Sequence, residues 1–107
     1  MNVILEQSKR DKNEYHFFTL ENKTKVVVIH DLNTAMKDTD KSLSNVSISV
    51  NTGSFSDPPH RQGVSHFLEH MIFMGSEKYP GENVFTEFIA QNGGYDNAYT
   101  ENSFTNY

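Results

Sequence analysis

The stretch Gln62-Gly-Val-Ser-His66-Phe-Leu-Glu69-His70-Met-Ile-Phe73-Met-Gly75 decides the reading of this chain. It contains no proline, and its apolar residues recur at three- and four-residue intervals. At roughly 100° per residue, Val64, Phe67, Leu68, Met71, Ile72 and Gly75 share one arc of a helix. His66, Glu69, His70 and Phe73 share the opposite arc. The pattern predicts a helix that packs through its apolar arc and presents two imidazoles, a carboxylate and an aromatic ring on the other.

Downstream, Lys78-Tyr79-Pro80-Gly81 breaks this helix, and a second one is expected over residues 82–92. Glu82 would sit in its first turn, favourably for the helix dipole. Val84, Phe85, Phe88 and Ile89 form its stripe, and Gly93-Gly94 is the expected stop. Residues 95–100 alternate like a strand, and residues 103–107 suggest another, inside which the chain stops.

Upstream, Tyr15 to Leu20 and Lys25 to Ile29 read as a hairpin turning at Glu21-Asn22-Lys23. Val26-Val27-Val28-Ile29 does not alternate, so cover is expected on both of its faces. Val46, Ile48 and Val50 alternate with polar residues, as in a half-buried strand. Asp57-Pro58-Pro59 stiffens the loop that follows. Residues 31–45 read as a polar surface insertion. Residues 1–13 are expected to be a mobile arm, and residues 14–107 an incomplete N-terminal catalytic domain. The expected fold is α+β, an antiparallel sheet with helices packed on one face.

Composition narrows the function. The chain has 107 residues, about one small domain, with a net charge of −5 from 9 basic and 14 acidic residues. That balance argues against nucleic-acid binding, which needs a basic stripe. Cysteine is absent, so any metal site must use imidazoles and carboxylates. No apolar run reaches the length of a membrane span or a signal-peptide core, so the expected compartment is the cytoplasm.

His66-Phe-Leu-Glu69-His70 is an H-x-x-E-H pattern. On a helix the two histidines lie one turn apart on one side and can reach a single zinc ion. Glu69 faces the same ion, and its adjacency to His70 suits it to act as a base rather than a ligand. Zinc brings a bound water to a pKa of about 7, and a carboxylate at this position can accept its proton. This is the inverted zincin arrangement. Phe73, one turn beyond His70, reads either as a core aromatic or as the wall of a side-chain pocket.

The residues from Gly63 to Gly75 resemble the active-site helix of inverzincin metallopeptidases of the pitrilysin–insulysin family. The resemblance continues through Lys78-Tyr79-Pro80, Glu82-Asn83 and Gly94 to Thr100, and backward through Ser56-Asp57-Pro58-Pro59 and the hairpin. It implies that His66 and His70 are zinc ligands and that Glu69 is the general base. It places Phe73 in the pocket on the leaving side of the cleaved bond. Asn97, Ala98 and Tyr99 match the strand on which an extended peptide substrate pairs. The family's third ligand is a glutamate on a later helix, beyond Tyr107.

The implied function is therefore zinc-dependent endopeptidase cleavage of peptides and small unfolded polypeptides by a longer parent protein. The isolated chain is expected to be inactive. Its partners would be peptide substrates and the remainder of the parent, with room for an oligomer and none for a membrane. The alternative is a non-catalytic binding or assembly subunit of the same family.

Overall fold

A computed structural model describes residues 6–31 and 44–107. Residues 1–5 of the expected arm and residues 32–43 of the polar insertion lie outside the described residues. The chain divides into two compact units between Ser44 and Asn45.

The first unit is a hairpin. Strands β1 (Glu14–Thr19) and β2 (Lys25–His30) pair antiparallel, from Glu14 opposite His30 to Thr19 opposite Lys25. The turn is where the sequence places it. Lys23 adopts φ 70°, its N–H donates to the Leu20 carbonyl at 2.9 Å, and the Asn22 side chain accepts from the Thr24 N–H at 3.0 Å. Such an Asx turn is what an asparagine offers a tight reversal. Ahead of β1, the Gln7 amide donates to the carbonyls of Asp11 and Asn13, and the Tyr15 hydroxyl donates to Asp11 at 2.7 Å. The expected cover over the valine run is not found: Val27, Val28 and Ile29 are each about half exposed. A run without alternation fits cover on both faces, but the described residues supply no layer for either face.

The second unit carries the decisive helix. A three-stranded antiparallel sheet has the order β3 (Ser49–Val50), β5 (Thr105–Asn106), β4 (Tyr99–Thr100). Helices α1 (Val64–Ile72) and α2 (Val84–Gln91) lie between β3 and β4 in sequence. The fold is thus α+β with antiparallel pairing throughout. The elements are shorter than their sequence patterns. Residues 95–98 do not pair: with Tyr99 opposite Asn106, the positions facing them lie beyond the end of β5. Ile48 and Tyr107 nonetheless exchange both backbone hydrogen bonds beyond the ends of β3 and β5. The second helix begins at Val84, so Glu82 precedes it and the acid in its first turn is Glu87. Its end follows the glycine reading. Gly93 has φ 75° and donates to Ala90, and Gly94 donates to Ile89 at 2.9 Å, which together form a Schellman cap.

Packing departs most from expectation. No hydrophobic side chain is buried among the described residues; the buried positions with side-chain polarity are Asp57, Ser65, Glu69 and Thr105. Val46, Ile48 and Val50 are exposed rather than half-buried. The apolar arc of α1, from Val64 to Ile72, is 45–66% exposed, while Ser65 and Glu69 are buried. The arc expected to pack is open, and what docks is the strip beside it, Ser65 and Glu69, while His66 and His70 stay exposed. The physical reason is that each buried polar group finds a hydrogen-bond partner here, which offsets its desolvation. The apolar arc has no second layer among these residues.

Candidate metal centre

The site is built from the start of α1. Gly63 precedes the helix with φ 92° and has no side chain to cap it. Asp57, six residues earlier, replaces the missing cap. Its carboxylate accepts from the Gly63 N–H at 2.7 Å, the Ser65 N–H at 2.9 Å and the Ser65 hydroxyl at 2.7 Å. Negative charge at a helix N-terminus also meets the positive end of the dipole. The Ser65 hydroxyl, followed by these N–H donors, holds the Asp57 carboxyl below its usual range. The Ser65 oxygen lies 3.2 Å from the Gly53 carbonyl.

Gly53 itself abuts the β4–β5 turn. A Cβ there would collide with the Glu101 carbonyl and fall 2.7 Å from Phe104 N. The following 3₁₀ turn (Ser54–Ser56) donates from Ser54 and Phe55 to the carbonyls of Glu101 and Asn102. Helix α1, the loop before it and the β4–β5 hairpin are thus fastened together through polar groups.

The third residue of that anchored helix is His66. Its Nε2 lies 3.1 Å from Nε2 of His70, the next residue on that side of the helix. Ligand atoms of His66, Glu69 and His70 all lie within 4.8 Å of one another. Among the described residues this is the one cluster of three or more metal-capable side chains. Glu69 is 6% exposed, and the Thr100 hydroxyl of β4 donates to its Oε2 at 2.6 Å. The two histidines remain exposed towards an open groove of about 500 Å³.

The groove brings together every site residue read from the sequence. His66, Glu69, His70 and Phe73 line it from α1 and its C-terminal end, and Asn97, Ala98 and Tyr99 line it from the approach to β4. Asp96 and Thr100 complete the wall. Phe73 is half-buried, with its ring 6.4 Å from both Phe85 and Tyr107, so it is at once a packing residue and a groove residue. His16 and His30 stay in the hairpin, where His30 Nδ1 is 3.5 Å from Glu14. Sequence reasoning missed Asp57, Ser65 and Thr100 as parts of the site. Asp57 reads locally as a loop residue before two prolines, and Thr100 is 31 positions from the carboxylate it holds.

The sequence profile of the family Insulinase (Peptidase family M16) matches residues 33–107. The chain belongs to the insulinase family. Insulin-degrading enzyme-like 1, peroxisomal, of Arabidopsis thaliana is 46% identical over 105 residues, 98% of this chain and 10% of the relative. Insulin-degrading enzyme of Homo sapiens is 44% identical over 101 residues, 94% of this chain and 9% of the relative. The crystal structure of pitrilysin superposes with a TM-score of 0.74 at 34% identity, covering 94% of this chain and 10% of pitrilysin. The chain therefore spans about a tenth of the length of these insulinase relatives.

Proposed function

We propose that this chain forms the metal-binding segment of a zinc-dependent endopeptidase that cleaves peptides and small unfolded polypeptides. The observation that carries the reading is the pair of imidazole nitrogens 3.1 Å apart, beside the Glu69 carboxylate and facing an open groove. Two nitrogens each about 2.0–2.1 Å from one tetrahedral zinc would stand roughly 3.3 Å apart. The donor set therefore fits zinc, with His66 and His70 as its ligands. Catalytic zinc sites normally have three protein ligands. The resemblance to the pitrilysin–insulysin pattern assigns the third to a later glutamate of a longer protein.

Zinc, when bound, supplies Lewis-acid activation of a water and a carbonyl. The remaining work falls to this chain's own residues. The Glu69 carboxylate takes the proton of the attacking water. Strand β4 lies at one edge of its sheet, so an extended peptide can add along it and the segment before it through backbone hydrogen bonds at Asn97, Ala98 and Tyr99. Backbone pairing tolerates many sequences, while side-chain pockets such as that beside Phe73 supply preference. The exposed apolar surfaces of α1, α2 and β2 suit burial against the rest of such a protein.

The test is Glu69→Gln in the full-length peptidase carrying this segment. Hydrolysis should fall about 10²- to 10⁴-fold with zinc content unchanged, as loss of a general base requires. Unchanged hydrolysis rejects the mechanism. In parallel, zinc content should be lost on His70→Ala.

A further inference from the structure

We infer that Thr100 is the positioning residue for Glu69, and that β4 thereby aligns the base and the peptide from one element. This rests on the base role proposed above for Glu69. A glutamate has three side-chain torsions, and its terminal one is broad. Left to itself, the carboxylate would sample many orientations towards the groove. Here one oxygen is fixed by the Thr100 hydroxyl at 2.6 Å. The other, Oε1, accepts no hydrogen bond among the described residues and is not sealed from solvent. One oxygen is thus a tether, and the other remains for the proton of a water in the groove.

The tether is itself held. Thr100 is β-branched and stiff at χ1. It pairs with Thr105 across β4 and β5, and the two hydroxyl oxygens lie 3.4 Å apart. Thr105 is buried, and its hydroxyl donates to the Thr52 carbonyl at 2.8 Å. With the Thr105 proton engaged there, the Thr100 proton goes to Glu69. The strand that ends in Thr100 also lines the groove through Ala98 and Tyr99. A peptide pairing on that edge and the carboxylate hanging from it therefore share one frame.

The experiment uses Thr100→Val, which keeps the shape and removes the hydroxyl, and Thr100→Ser, which keeps the hydroxyl. In the full-length peptidase carrying this segment, Thr100→Val should lower kcat about 10- to 100-fold, the scale of a misplaced catalytic group. KM and zinc content should hold, and Thr100→Ser should recover most of the rate. In the 107-residue chain, carbodiimide labelling read by mass spectrometry should rise several-fold at Glu69 in Thr100→Val. The exposed Glu77 and Glu82 serve as internal references. Unchanged kcat and labelling in Thr100→Val overturn the inference, as does no recovery with serine. Loss of zinc along with activity also overturns it, because the effect is then structural. If Glu69→Gln leaves hydrolysis intact, the base assignment has failed instead, and Thr100 falls with it.

Discussion

On one side of α1, Ser65 and Glu69 are buried and tied to Asp57 and Thr100 by hydrogen bonds of 2.6–2.9 Å. On the other side, Val64, Leu68, Met71 and Ile72 stand about half exposed. The contrast teaches that periodicity identifies which residues can be buried, not which side is buried within a given stretch of chain. The apolar arc needs a second layer, and burial there scales with the area another element covers. The polar groups need only a few well-placed partners: Asp57 and Gly53 accept from Ser65, and the Thr100 hydroxyl donates to Glu69.

Three substitutions test that contrast. The largest effect is expected at Gly53, where any side chain meets the backbone of the β4–β5 turn. Gly53→Ala should cost about 2–3 kcal/mol, the upper range for forcing atoms into a packed site. Denaturant unfolding of the chain measures it, and a neutral result would show that the hairpin is not fastened at this point.

Asp57 comes next, and its signature is pH dependence. Its carboxyl titrates below the ordinary 3.8 in the folded chain, chiefly because Ser65 donates to the ionised form. On acidification the unfolded state therefore takes up this proton first. The stability contributed is complete above the ordinary carboxylate range and is lost as pH falls through the folded value. Asp57→Asn should lower the unfolding midpoint at pH 7 and flatten its dependence below about pH 4. Equal acid sensitivity in both proteins would locate the effect elsewhere.

The smallest effect is expected on the open arc. Leu68→Ala should change the stability of this chain by less than about 0.5 kcal/mol, as for an exposed position. In the full-length protein, where another layer is expected to cover the arc, the same change should cost about 2–4 kcal/mol. A large cost in the chain alone would mean the arc is already packed.

The hairpin was legible because Asn22 favours a tight reversal between two β-prone runs. The end of α2 was legible because a left-handed residue there favours glycine, and Gly93 supplies it at φ 75°. The metal cluster was legible because a helix brings residues four apart onto one side, whatever surrounds it. Strand lengths were less so: Asn97 and Ala98 alternate correctly but lie past the last residue pair of β4 and β5.

Sequence by itself thus determined the local geometry of His66, Glu69 and His70, the turns and the family to which the chain belongs. Local periodicity and backbone preference act over a few residues and can be read in order. Only the tertiary structure decided that Asp57 caps α1 from six residues away, that Thr100 holds Glu69, and that α1 docks through Ser65 and Glu69 rather than through its apolar arc. Those partners meet through space, across up to 31 positions of chain, and no local pattern encodes which distant hydroxyl will face a given carboxylate.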